Sequence, residues 1–155
     1  MGLNNDHFTS RAMNAGTYYE HAILEHLGVP RCDHQIILPE ILLRVNLDGD
    51  DLGKIFEVKT HSAEKVFKVS KGYWQQVQVQ SFAKLTVEKI VPQSKIVSYA
   101  LTEDDYRDFF NPIDPKRIGD HPIEYDPKFI ESYLRRLEYL CGCLRKGVFP
   151  NEVPD

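Results

Sequence analysis

The apolar residues along the chain follow two different periods. From about Arg11 to Leu27, the residues Ala15, Tyr18, Tyr19, Ala22, Ile23 and Leu27 recur on one face at helical spacing. Gly28 and Pro30 supply the stop. Ile36 to Leu38 reads as a short strand. From Ile41 to Leu47 the pattern alternates, with Ile41, Leu43, Val45 and Leu47 on one side and Leu42, Arg44 and Asn46 on the other. Asp48-Gly49-Asp50-Asp51 behind it reads as a turn, and Lys54 to Thr60 as the second strand of a hairpin. The spacing predicts a helix from Gly72 to about Leu85 and a further strand from Lys95 to Leu101. Residues 102–127, rich in proline and acids, read as a loop-rich connection. A final helix from about Pro127 to Lys146 carries Phe129, Ile130, Tyr133, Leu134, Leu137, Leu140, Cys141 and Leu144 as its expected buried stripe, closed by Gly147 and Pro150. This element order predicts a mixed α/β (α+β) domain. One domain is expected over residues 1–155, with a core over about 11–150 and an arm at 1–10.

Composition agrees with a globular chain: of 155 residues, 42% are hydrophobic and 27% charged. That excludes disordered, collagenous and coiled-coil classes. A chain of this length buries roughly two-thirds of its unfolded surface, enough to fold without disulfides or a structural metal. Apolar runs such as Ile36-Ile37-Leu38 and Ile41-Leu42-Leu43 fall far short of the ~18 residues of a membrane span. The polar N-terminus carries no secretory pattern, and Asp6 stands where acylation at Gly2 would want Ser or Thr. Cys32, Cys141 and Cys143 form an odd set that suits a reducing compartment and cannot alone complete a four-ligand zinc or iron–sulfur site. A soluble, intracellular protein without a membrane partner is the expectation.

Charge alters the picture locally. The formal net charge is −4, from 19 Lys+Arg against 23 Asp+Glu. Yet Lys54, Lys59, Lys65, Lys68 and Lys71 crowd one segment against only Glu57 and Glu64, and nucleic-acid affinity depends on such a patch rather than on net charge.

The candidate chemistry lies in Lys54-Ile55-Phe56-Glu57-Val58-Lys59-Thr60. On a strand, Ile55, Glu57 and Lys59 share one face, while Phe56 and Val58 enter the other. Alone, Glu-X-Lys is an ordinary solvent-facing ion pair. Here, however, a hairpin brings Asp48 toward Glu57, and two carboxylates with a backbone carbonyl form the hard oxygen set that Mg²⁺ prefers. Lys59 beside them is suited to orient or deprotonate a water and to stabilise charge on a phosphorane-like transition state. Glu20 on the first helix offers a third carboxylate, next to Gly16, where another backbone can approach. In the next helix, Tyr73, Gln76 and Gln80 sit at i, i+3 and i+7, a polar stripe facing one site.

The ordered set Gly16-X-X-X-Glu20, Leu47-Asp48-Gly49, Phe56-Glu57-Val58-Lys59 and Tyr73-X-X-Gln76-Val77-Gln78 resembles the PD-(D/E)XK nuclease superfamily. Within it, the chain is most similar to YqaJ-type viral recombinases, the group that includes the phage lambda exonuclease. The segment His121-Pro122-Ile123-Glu124-Tyr125-Asp126 and the helix after it resemble that group's closing helix, so the likeness spans roughly residues 16–150. Leu47 stands at the proline position of the superfamily's name, which carries no ligand.

The resemblance implies a restriction-endonuclease-like core, a central mixed β-sheet flanked by helices. It implies Mg²⁺ or Mn²⁺ bound by Asp48, Glu57 and the Val58 carbonyl, with Glu20 supporting the metal site. Lys59 would position the nucleophilic water, and Tyr73 and Gln76 would complete the pocket. Arg11, in a stretch similar to one ahead of the first helix in those enzymes, would hold a terminal phosphate. The basic segment, independently of the resemblance, makes Lys65, Lys68 and Lys71 the expected contacts to DNA. The implied activity is metal-dependent hydrolysis of DNA phosphodiesters by a phage or prophage recombination exonuclease in the cytoplasm of a bacterium or infected host. A single-strand annealing protein and a homo-oligomer are the implied partners beside DNA. A junction-resolving or restriction-like endonuclease on the same core, or a non-catalytic DNA-binding module, stands as the alternative.

Overall fold

The computed structural model describes residues 11–151, with the side chains of Arg11 and Ala12 outside the description. The N-terminal arm therefore lies outside the described residues. In chain order the elements are α1 (Arg11–His26), β1 (Arg31–Leu38), β2 (Leu43–Asp51), β3 (Lys54–Ser62), α2 (Lys71–Glu88), β4 (Gln93–Leu101), α3 (Glu103–Arg107), β5 (Ile118–Ile123) and α4 (Pro127–Lys146). The strands form one mixed sheet in the order β1-β2-β3-β4-β5. Only β3 and β4 run parallel, with α2 as their connection. The other neighbours are antiparallel. The fold is α+β, a mixed sheet flanked by helices.

Alternation along the strands sorts the two faces. On one face Ala15, Tyr19, Ile23 and Leu24 of α1 pack against Val58, Val97, Tyr99 and Leu101. On the other, Ile36, Leu38, Val45, Leu47 and Ile55 pack with Ala83 of α2. Burial of each Ile, Leu and Val side chain among them contributes about 1.5–3 kcal/mol, so these two clusters hold both helices to the sheet. Gly49 belongs to the α1 face: a Cβ there would lie 2.5 Å from Leu24 Cδ2 and 3.0 Å from Val29 Cγ1. The bare backbone is what lets α1 seat over β2.

Helix α2 meets the sheet through polar groups as well. Its buried residues include Gln78, Gln80, Ser81 and Lys84. Gln78, Ser81 and Lys84 are satisfied across the interface, as buried polar groups require, whereas Gln80 is bonded through Nε2 and its Oε1 has no partner among the described residues. Gln78 donates to the Glu124 carbonyl at 2.7 Å and accepts from the Asp126 N–H at 2.8 Å, fixing the entry to α4. Ser81 bonds Ser94 at 2.8 Å. Lys84 donates to Asp50 and reaches Glu88, both at 2.8 Å, and Arg31 also pairs with Asp50.

Several expectations are corrected. Asp48-Gly49-Asp50-Asp51 is not a turn: β2 continues to Asp51, and the reversal falls at Leu52-Gly53. Asp50 can remain in the sheet because Lys84 and Arg31 compensate its buried charge. The first strand begins at Arg31 rather than Ile36. The connection 102–127 contains α3 and β5. Strand β5 is an edge strand that tolerates Pro122, paired with Lys95, because its N–H side needs no further partner. On α4 only Ile130 and Cys141 are buried, and Leu144 of the expected stripe is 70% exposed. The helix rests on α2 and on the turn at Pro39–Ile41.

Candidate active site

The ladder between β2 and β3 is short, and the site lies where it ends. Gly49↔Phe56, Asp50↔Ile55 and Asp51↔Lys54 are paired, while β3 stays paired with β4 as far as Ser62↔Leu101. Beyond Phe56 the edge of β3 toward β2 is open. The next group on β2 fills that edge with a side chain: Asp48 Oδ2 accepts the Val58 N–H at 2.8 Å. In an extended strand the N–H and C=O of one residue project to the same edge, so the Val58 carbonyl is aimed into the same opening.

Side-chain alternation breaks at Asp48. Leu47 belongs to the α2 face, and so does Asp50, which meets Lys84 of α2. Gly49 faces α1. A regular strand would place Leu47 and Gly49 on one face. On β1 the pairs Cys32↔Gly49 and His34↔Leu47 bracket Asp33, whose φ is 55°. The irregular step in both strands turns Asp48 into the opening.

Glu57 and Lys59 lie on the α2 face of β3, as alternation requires. Glu57 is 1% exposed. Its Oε1 accepts from Lys59 Nζ and from Gln76 Nε2, each at 2.6 Å, and its Oε2 from Gln80 Nε2 at 2.7 Å. Lys59 Nζ also donates to Gln76 Oε1 at 3.1 Å and lies 4.8 Å from the centre of the Tyr73 ring. Helix α2 is started here by Ser70, whose Oγ accepts the Tyr73 N–H at 3.1 Å. That cap sets the phase that brings Tyr73, Gln76 and Gln80 over β3 in order from surface to interior.

The electrostatics join the remaining carboxylates. Burial, then the charges of Glu57 and Glu20, raise the Asp48 carboxyl from 3.8 to about 7, against the lowering influence of the Val58 N–H and Lys59. Glu20 is likewise raised, first by burial and then by Asp33 and Glu57, while His21 and Lys59 act in the opposite direction. Glu20 thus lies within electrostatic reach of both Asp48 and Glu57. Gly16, one turn earlier, would place a Cβ 3.2 Å from Thr60 Oγ1 of β3, so α1 crosses the sheet closely beside this opening. A ligand atom each from Glu20, His21 and Asp33 also falls within 4.8 Å of the others at the outer rim.

Of the residues expected at the site, Asp48, Val58, Glu57, Lys59, Gln76 and Tyr73 are brought together by direct contacts, while Glu20 is joined to Asp48 and Glu57 by its charge alone and its closest ligand-bearing neighbours are His21 and Asp33. The side chain of Arg11 lies outside the described residues. Lys65, Lys68 and Lys71 are exposed on the segment from β3 into α2, whereas Lys54 sits at the opposite end of β3. Gln80 was legible only as part of a stripe; it holds Glu57 and also donates to the Asn46 carbonyl at 3.0 Å. Ser98 and His121 were missed. They lie on the same face as Lys59 through strand pairing, and the alternation of β4 carried half of that signal.

Compared with family models, curated proteins and solved structures, the chain matches none.

Proposed function

We propose that this chain is a Mg²⁺-dependent DNA nuclease that hydrolyses phosphodiester bonds, and within that class a recombination-type exonuclease. The observation that carries the reading is the convergence of Asp48, Glu57, Glu20 and Lys59, from three separate elements, on the open edge of β3 at Val58.

The donor set fits a hard divalent cation. Asp48 Oδ2 is engaged by Val58, while Oδ1 has no hydrogen bond among the described residues. Glu57 Oε2 has a single amide partner. With the Val58 carbonyl, these are oxygen ligands of the kind Mg²⁺ and Mn²⁺ prefer. Bound by these groups, the cation supplies polarisation of the phosphate and a lowered pKa for the attacking water.

The chain's own residues account for the remaining work. An ammonium has three donors, and Lys59 uses two on Glu57 and Gln76, leaving one for a water or a phosphate oxygen. Glu57, Gln76 and the Tyr73 ring hold Nζ in place, so little orientational freedom is lost when substrate arrives. Gln80, from below, keeps Glu57 in one rotamer. The exposed Lys65, Lys68 and Lys71 give the adjoining segment a positive potential that favours a phosphate backbone.

The test uses end-labelled linear, nicked and closed circular DNA with Mg²⁺ or with chelator. Mononucleotides released from linear DNA alone, and only with the metal, support the exonuclease. Cutting of closed circles shifts the assignment to an endonuclease, and retained binding without cleavage under any metal to a DNA-binding module.

A further inference from the structure

The face that carries Glu57 and Lys59 does not end at β3. Strand pairing continues it through two rows, Lys59↔Ser98↔Gly119 and Glu57↔Ile96↔His121. Adjacent strands are about 4.8 Å apart, so β5 lies roughly 10 Å from β3 across this surface. Ser98, 3% exposed, meets His121 there, Oγ to Nε2 at 2.9 Å.

Three observations mark this pair as more than a filler. A Cβ at Gly119 would lie 2.2 Å from Ser98 Oγ and 2.9 Å from His121 Nε2, so the pair exists only because the third position in the row is bare. His121 Nδ1 has no hydrogen-bond partner among the described residues, although the ring is half-buried. Phe67 links this pair to the carboxylate site: its ring lies 4.8 Å from His121 and 6.2 Å from Tyr73, the latter at an interplanar angle of 7°. Tyr73 in turn covers Lys59. Lysine, tyrosine, phenylalanine and histidine therefore form one continuous wall, and Lys65, Lys68 and Lys71 flank Phe67 in the chain against a single acid, Glu64.

We propose that Ser98 and His121 form a phosphate-binding subsite for a nucleotide, taking the phosphate that neighbours the one held at Lys59, with Phe67 and Tyr73 as the platform for its base. The proposal rests on the nuclease reading for which phosphate is its neighbour. When Ser98 Oγ–H donates to Nε2, the imidazole proton sits on Nδ1, and that N–H becomes the donor to a non-bridging phosphate oxygen. Protonation of the ring gives Nδ1–H from either neutral tautomer and turns Ser98 into the acceptor, while in the neutral ring the Nδ1 donor exists only when Ser98 donates to Nε2. A flat aromatic surface accepts any base, since each has a π-face. Ser98 is a positioning residue in this scheme and His121 a binding one.

The test is a titration of ¹⁵N-labelled protein in chelator with thymidine 5′-monophosphate, inorganic phosphate and thymidine. The imidazole signals of His121 are assigned by their loss in His121→Gln. The expected result is a saturable shift of those signals with the monophosphate, a weaker one with inorganic phosphate and none with thymidine. Ser98→Ala, with an otherwise native amide spectrum, should weaken monophosphate binding about tenfold, the scale of one charge-assisted hydrogen bond. His121 signals unmoved by the monophosphate, or moved equally by thymidine, overturn the proposal. Because the titration needs no turnover, the two readings separate. A chain that cuts DNA while His121 stays silent loses this subsite alone. One that binds the monophosphate at His121 yet cuts nothing keeps the subsite and loses the nuclease assignment.

Discussion

Asp48 keeps its proton up to about pH 7, first because it is buried and then because Glu57 and Glu20 crowd it. Asp48→Asn removes that charge while leaving an oxygen to accept the Val58 N–H, which spans 2.8 Å in the native site. The displacement from 3.8 to about 7 converts, at about 1.4 kcal/mol per pH unit, to an upper bound of about 4 kcal/mol. Asp48 is not fully enclosed and its neighbours share the strain, so roughly 1–3 kcal/mol is the expected gain. The sign follows from proton counting. Between about pH 4 and 7 the folded state holds a proton that the unfolded chain has lost, so the native protein loses stability as pH rises through that window and levels off above it. The variant does not titrate there. In chelator its melting temperature should match the native protein near pH 4 and exceed it by about 3–10 °C at pH 8. Mg²⁺ should reverse the order, adding about 2.7 kcal/mol to the native protein at a hundredfold excess over Kd and little to the variant. Scanning calorimetry from pH 4 to 8, with and without Mg²⁺, measures both effects. A gap that does not vary with pH refutes the carboxylate crowding, and an equal Mg²⁺ gain in both proteins refutes Asp48 as a ligand.

Three further outcomes are expected. Lys59→Ala should lower turnover at least ~10²-fold, the scale of one positioned proton-handling group. It should also lower the melting temperature by several degrees, because Glu57 stays buried without its ammonium; cleavage kinetics and circular dichroism check the two. Gly49→Ala forces a Cβ to within 2.5 Å of Leu24, an overpacking that costs about 1–3 kcal/mol and is read from the urea midpoint. Asp105, 1% exposed, would be raised by burial, but hydrogen bonds from Arg117, Thr102 and Asn111 outweigh that and hold it at about 2. Its stabilisation is therefore full above about pH 4 and lost as pH falls through 2. Asp105→Asn should be less stable by roughly 3 kcal/mol at pH 7, with the gap closing below pH 4, as acid titration by fluorescence would show.

Much of this protein was legible from local pattern. The helical period of Ala15, Tyr19 and Ile23 and the alternation of Leu43, Val45 and Leu47 depend only on which faces meet water, and so does the shared face of Glu57 and Lys59. The same period put Tyr73, Gln76 and Gln80 in one stripe before any partner was known. Elements held by distant groups were not legible in this way. The first residues of β1 and the end of β2 look like loop because Arg31, Asp33, Asp48 and Asp50 are polar. They stay in the sheet because Lys84, 34 residues from Asp50, compensates the buried charge. Strand β5 looks like linker because an edge strand needs neither strict alternation nor a full set of N–H donors.

The residue types for a carboxylate and lysine site, and the faces they occupy, thus followed from sequence alone, since periodicity is a property of neighbouring residues. That Asp48 turns into the gap beside Val58, that Glu20 comes within reach of it, and that Ser98 meets His121 were decided only by tertiary structure. Each depends on where a strand ladder stops and on which strands lie side by side, and these are settled by packing between segments that no local pattern connects.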